Sequence, residues 1–442
     1  MSMSFDRPEC STEQLRSCSE MLDAFASDAS LAFTRLRVED ACAEARAVDA
    51  LRARGAMSLP LQGQVFGVKA CFDVQGWVNH AGSKVLADSA AATADAPLVA
   101  RLREAGAVLL GHNNMTEFAY GALGQNSTYG TPLCTTLADQ ARVSGGSSSG
   151  GAVAVSRGMQ TFALGSDTSG SVRIPAAFCG VVGFKPSKHR YADGGMQKLS
   201  TSFDVPGFIA RDVATCIQLD KVAALPLPQR AAEQCQTPLL LVPAHMLELL
   251  DEKVRSAFEQ VMAYLQQSGY TVEVRELKSW QRAPGVARTG GIIAAEAFVA
   301  HQACLQTSLA AYDPKVGPRI LAGQQVLAAH YLSACQELEQ LRNAFTAELG
   351  DAALVLSPTV PMPPPTVQEL EDLERYLALN ARSFALTEPA NRLDLPSISL
   401  PLPEPFAWMG ILLTGQNQAD EQLLAWALQL ESQLKTIAIS NT

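Results

Sequence analysis

Gly145-Gly146-Ser147-Ser148-Ser149-Gly150-Gly151 runs directly into Ala152-Val153-Ala154-Val155, and Gly165-Ser166-Asp167-Thr168-Ser169-Gly170-Ser171-Val172-Arg173-Ile174-Pro175 follows a short distance on. The fifty residues 141–190 hold nine glycines and nine serines, with one acidic residue (Asp167) against six basic ones, inside a chain of net charge −10. A glycine-serine turn leading into an apolar helix admits three readings. A phosphate cradle would present backbone N–H groups at the helix start, but the Walker form needs a terminal Gly-Lys-Ser/Thr and none is present. Gly146-Ser147-Ser148-Ser149-Gly150 fits the G-x-S-x-G of a nucleophile elbow. That scheme wants a late histidine, and none occurs after His330. The third reading is a glycine turn that permits close backbone packing.

The second segment adds chemistry. It follows an apolar strand-like run, Thr161 to Leu164, and a serine placed after such a small-residue turn can have successive N–H groups converging near its hydroxyl, as an oxyanion hole requires. The serine still needs a base. Lys69 is the only charge in the apolar stretch Val65 to Phe72. Burial there would strip its solvation, lower its pKa and free the amine to accept a proton. The competing reading is a lysine snorkelling from a strand end.

Outward from these segments, 442 residues at about 150 per domain suggest two or three domains or one large α/β unit. Apolar residues at 48% and charged residues at 18% can build a large core. The acidic balance, 34 Lys plus Arg against 44 Asp plus Glu, argues against nucleic-acid binding. Ten cysteines without a CxxC pair, and six histidines without ligand spacing, suggest buried thiols in a reducing compartment and no metal site. The N-terminus lacks a signal-peptide apolar stretch and no run approaches the ~18 apolar residues of a membrane span, so a cytoplasmic protein is expected. Helices are expected around Ser11–Phe25 (with a Ser11/Gln14 capping box), Val38–Arg54, Ala96–Glu104, 250–268, 292–312, 325–349 and Glu421–Leu434. Strands are expected at Val65–Val68, Ala107–Leu110, Thr161–Leu164 and Thr237–Val242, at a segment ending with Val355–Leu356, and at Ser397–Leu400, with Pro358, Pro361, Pro363, Pro364 and Pro365 as a stiff extended connector. This alternation reads as an α/β layer architecture.

Taken together, the glycine-serine block, its continuation Ala176-Ala177-Phe178-Cys179-Gly180-Val181-Val182-Gly183-Phe184-Lys185-Pro186, the segment Phe66-Gly67-Val68-Lys69, and Asn114-Met115-Thr116-Glu117-Phe118-Ala119-Tyr120-Gly121 resemble the amidase signature family. Leu199-Ser200-Thr201-Ser202-Phe203-Asp204 and Leu356-Ser357-Pro358-Thr359-Val360-Pro361 are similar as well, so the resemblance spans roughly residues 35 to 435. It implies an α/β amidase signature fold, a large mixed twisted β-sheet flanked by helices on both faces. One domain over 1–442 is expected, with an N-terminal helical segment (1–58), a signature core (59–215) and a helical region (240–350) lining the substrate entrance.

The resemblance also implies roles. Ser171 matches the nucleophile, Ser147 the bridging serine, 24 positions earlier as in the family, and Lys69 the base. The Gly146–Ser147 peptide is expected to be cis. Thr168, Ser169, Gly170 and Ser171 would supply oxyanion-hole amides, and Tyr120, Gly121 and Arg173 would contact substrate. Arg173 carries two readings, bracing the serine loop through Asp167 or attracting an anionic substrate. Cys179 reads as a packed core thiol and His112 as a structural histidine. The implied reaction is hydrolysis of a small or medium amide, ureido and carboxylated ones included, through a serine acyl-enzyme, with no metal or cofactor. No nucleic-acid or membrane partner is expected, and a homodimer is the default. Three positions depart from the family pattern: Ala70-Cys71 where Asp-Asn is usual, Ser169 where glycine is common, and Cys134-Thr135-Thr136 in place of Asn-Pro-Trp. Two alternatives stand beside this reading. One is the glutaminase subunit of a tRNA-dependent amidotransferase, disfavoured by Phe384 where glutamine users place an acidic residue. The other is a non-catalytic binding protein on the same fold.

Overall fold

A computed structural model describes residues 31–54, 59–137, 139–227, 237–350 and 353–439. The helix expected at Ser11–Phe25 lies outside the described residues. Within them, eleven strands form one mixed sheet. In chain order these are β1 (Phe33–Leu36), β2 (Val65–Lys69), β3 (Val108–Asn113), β4 (Phe162–Asp167), β5 (Val182–Lys185), β6 (Val205–Ala210), β7 (Leu239–Pro243), β8 (Val272–Arg275), β9 (Ala353–Pro358), β10 (Ser397–Leu400) and β11 (Ile411–Thr414). The spatial order is β1-β3-β2-β4-β6-β5-β10-β11-β9-β7-β8. Strands β3, β2 and β4 run parallel at one end and β9, β7 and β8 at the other, joined through an antiparallel centre.

Alternation along the strands separates two apolar layers. Phe66, Val68, Leu109, Phe162 and Leu164 face one core, with the helices α1 (Pro97–Glu104) and α2 (Val213–Ala223) packed on it. Val65, Val108, Leu110 and Ala163 face the other, against Val38–Ala53 and Ser149–Ser156. Strands covered on both faces read as continuous apolar runs, which is why β2 and β4 stand out in the sequence. Phe66 stacks on Phe162 at 5.1 Å between ring centroids, and Phe208 meets Phe162 edge-on at 6.1 Å.

Differences from the sequence reading have local causes. The strand expected to end at Leu110 continues through Gly111, His112 and Asn113, because those polar residues are paired on both sides, by β1 and β2. The helix expected over 292–312 ends at Ser308, and a tighter turn, Leu309–Ala311, completes it. β6 carries Pro206 and Gly207, which erase a strand signal. Its pairing with β5 begins only at Phe208, so Pro206 lies beyond that neighbour's ladder. Among the described residues no helix is long and apolar enough to cross a membrane.

Phe162 is fully buried between two aromatic neighbours, and truncating such a ring costs about 3–5 kcal/mol. Phe162→Ala is therefore expected to lose that much unfolding free energy in urea titration; a loss under about 1 kcal/mol would contradict this packing.

Candidate active site

The parallel strands β2, β3 and β4 end together, and open α/β sheets bind ligands beyond the carboxyl ends of such strands. Lys69 is the last residue of β2, and Ser166 and Asp167 end β4. Beyond β4 the chain turns through Thr168-Ser169-Gly170-Ser171 into the short helix Arg173–Phe178. The glycine-serine turn approaches from the other side and starts the helix Ser149–Ser156. Ser148 N–H donates to the Ser171 carbonyl at 3.1 Å, and Thr116 N–H to the Ser147 carbonyl at 3.1 Å. The Gly146–Ser147 peptide is cis, as expected. Gly146 admits no side chain, since a Cβ there would lie 2.6 Å from the Gly124 nitrogen.

Lys69 is 1% exposed and Ser147 fully buried. Lys69 Nζ lies 2.6 Å from Ser147 Oγ, 2.8 Å from Ser166 Oγ and 3.3 Å from the Ser166 carbonyl. No carboxylate reaches salt-bridge distance of it among the described residues. Burial lowers its pKa from the usual lysine value, with partial opposition from Cys71, Asp204 and Asp167. Ser171 lies on the cavity side of this group, 1% exposed. No direct hydrogen bond joins the Ser147 and Ser171 hydroxyls among the described contacts. Cys71, at the departure from the family pattern, sits 3.8 Å from Ser166 Oγ. Ser166 thus supplies hydrogen-bond partners to Lys69 beside Ala70-Cys71, where the family pattern has Asp-Asn.

The serine loop is fixed from beneath. Asp167 accepts from Gly170 N–H at 2.8 Å, Val172 N–H at 3.0 Å, Arg173 at 2.8 and 3.1 Å, and Asn391 Nδ2 at 2.9 Å. Burial alone would raise its carboxyl pKa, but Arg173 and these donors hold it well below the carboxylate range. Gly170 has φ +138°, and a Cβ there would fall 2.2 Å from Thr387 Oγ1, which itself donates to the Ser169 carbonyl at 2.6 Å. Asp204 accepts from Thr168 Oγ1 at 2.5 Å and from the Leu199 and Ser200 amides; burial raises its pKa to about 6.

Two expectations change. Gly170 N–H is committed to Asp167, which leaves Thr168, Ser169 and Ser171 as the loop amides without a protein acceptor among the described residues. Arg173 is fully buried and its guanidinium is spent on Asp167, the Thr387 carbonyl and Asn391. It braces the loop and does not face the cavity. Tyr120 and Gly121 do line that cavity, of about 230 Å³, with Ser171, Phe384 and residues from the helices Lys278–Thr289 and Ile292–Ser308. Cys179 is a buried thiol donating to the Ser144 carbonyl, and His112 Nε2 bonds the Phe72 carbonyl. Sequence reasoning missed Ser166, Asn391, Arg392 and Glu388 as parts of the site. Ser166 lay inside the quoted motif; the other three approach from more than 200 positions away and leave no local signal.

The Amidase family model matches residues 16–424, and the chain belongs to that family. Among its relatives, 2-amino-5-chloromuconic acid deaminase of Comamonas testosteroni is 31% identical over 394 residues, covering 88% of this chain and 85% of the relative. A glutamyl-tRNA(Gln) amidotransferase subunit from Symbiobacterium thermophilum is 32% identical over 447 residues, covering 90% and 89%. A crystal structure of an amidase superposes with TM-score 0.84 at 32% identity over 96% of both chains. The chain is accordingly a hydrolase of carbon–nitrogen bonds in linear amides, and the non-catalytic alternative falls away.

Removing one partner of a fully buried ion pair costs about 3–5 kcal/mol. Arg173→Met, which strands Asp167, is expected to lose stability in that range by chemical denaturation; an unchanged midpoint would contradict the bracing role.

Proposed function

We propose that amide hydrolysis runs through an acyl-enzyme on Ser171, with Ser147 as relay and Lys69 as base. The observation that carries this reading is a desolvated lysine amine 2.6 Å from Ser147 Oγ, with no carboxylate partner among the described residues. In its neutral form Lys69 donates to Ser166 and turns its lone pair toward Ser147. Lys69 takes the Ser147 proton while Ser147 takes the Ser171 proton, and Ser171 Oγ attacks the amide carbon. The amides of Thr168, Ser169 and Ser171 receive the oxyanion. The relay then runs backward to protonate the leaving nitrogen, and the carbon–nitrogen bond breaks. Water, deprotonated by the same relay, cleaves the ester and releases the carboxylic acid. A cytoplasmic homodimer acting on a free small molecule completes the proposal.

Phe384 lines the cavity where a glutamine user would need an acid to meet the substrate ammonium. An apolar ring there supports a stand-alone amidohydrolase over a glutaminase subunit.

Ser171→Ala is expected to abolish turnover of small amides, and Lys69→Ala to lower kcat by ~10³-fold or more, in line with loss of a general base and its network. Ammonia-release assays check both, and wild-type-like activity in either variant would refute the roles. Glutamine is expected to be a poor substrate, with kcat/KM at least ~100-fold below the best small amide; efficient glutamine hydrolysis, or co-purification with partner subunits, would favour the amidotransferase reading.

A further inference from the structure

The thiol of Cys71 takes no part in the proton relay, yet it stands one contact away from it. Cys71 follows the end of β2 by two residues and is 1% exposed. Its Sγ lies 3.8 Å from Ser166 Oγ, within range of a weak sulfur hydrogen bond. Burial pushes its pKa up, so the side chain is a neutral thiol. Ser166 Oγ has two partners among the described contacts, this sulfur and Lys69 Nζ at 2.8 Å.

A neutral lysine amine carries two N–H bonds and one lone pair. Three oxygens surround Nζ, and the Ser166 carbonyl can only accept, so it takes one N–H. The Ser147 and Ser166 hydroxyls divide what remains: one donates to the lone pair, and the other accepts the second N–H. If Ser166 donates, the lone pair is occupied and Ser147 cannot pass its proton to Lys69. If Ser147 donates, the relay is set, but the Ser166 proton then needs another acceptor. Cys71 Sγ is the one within reach among the described contacts. This second arrangement also suits the charged state. Once Nζ has taken the Ser147 proton, its three N–H bonds meet Ser147 Oγ, Ser166 Oγ and the Ser166 carbonyl, and no hydroxyl has to turn. Groups already oriented for the product of a proton transfer spare that step a reorganisation.

We propose that Cys71 is a positioning residue for the base: its sulfur accepts the hydrogen bond of the Ser166 hydroxyl, which leaves the Lys69 lone pair to Ser147. This rests on the reading of Lys69, Ser147 and Ser171 as a relay, and it gives a task to a residue at which the chain departs from the family pattern.

A double-mutant cycle between Cys71 and Ser166 tests the assignment. Cys71→Val and Cys71→Ala both remove the acceptor while changing the side-chain volume in opposite directions. Each is expected to lower kcat by about 3- to 10-fold, the scale of one neutral hydrogen bond, with KM nearly unchanged. In a Ser166→Ala background, which has no competing hydroxyl, the same substitutions are expected to change kcat by less than about twofold. Cys71→Ser, whose hydroxyl can accept, is expected to recover most of the wild-type kcat. Rates are taken per site titrated to completion with a neutral fluorophosphonate, so that a poorly folded variant does not count as a slow one. An unchanged kcat in Cys71→Val and Cys71→Ala, or an equal loss in the two backgrounds, as a packing role would give, overturns the proposal. Turnover by Ser171→Ala would refute the acyl-enzyme reading and the proposal together, whereas an inactive Ser171→Ala beside an uncoupled Cys71–Ser166 pair strikes the proposal alone.

Discussion

A lysine amine sealed behind a layer of serines cannot keep its charge as it would in water. The ionised form loses its hydration on burial, and within reach of Lys69 the fold supplies hydroxyls and a carbonyl rather than a carboxylate. Burial therefore pushes the side chain toward the neutral amine, and the neutral amine is the form that can take a proton. The surrounding architecture serves that condition. Strand β2 is buried at every position, which dries the lysine, and the parallel neighbour β4 runs on past its end to deliver Ser166.

The charges that the site does use are kept one layer away. Asp167 and Arg173 neutralise each other in full burial, and their contacts fix the backbone that presents Ser171. Gly170 N–H serves this bracing, which adds to the rigidity of the loop. Arg392 and Thr387, brought from the far end of the chain, clamp the same loop from the outside. The geometry of the proposed site is thus held by long-range contacts around a short local motif.

That division explains what could be read in the sequence. Lys69 is conspicuous as a lone charge in an apolar strand, but the choice of Ser171, and of Ser147 over its neighbours Ser148 and Ser149, rests on the family resemblance, because a turn of small residues does not by itself single out one serine. The central parallel strands were legible because burial on both faces leaves an unbroken apolar run. β6 was not, since Pro206 and Gly207 are tolerated only through the pairing around them. Arg173 fits either scaffold or substrate in the sequence, because sequence does not say how deep a guanidinium lies. The cavity wall was the least legible part: Arg288, Arg319 and Glu388 come from separate helices whose facing depends on tertiary packing.

The central claim, that an uncharged Lys69 drives Ser171, is tested most directly by the pH dependence of Ser171 labelling by a neutral fluorophosphonate, compared between the wild type and Lys69→Met. The rate in the wild type should rise with pH through a single ionisation below the ordinary lysine range, since deprotonation creates the base, and that step should vanish in Lys69→Met along with most of the labelling rate. An identical pH profile in the two proteins, or labelling at a residue other than Ser171, would contradict the account.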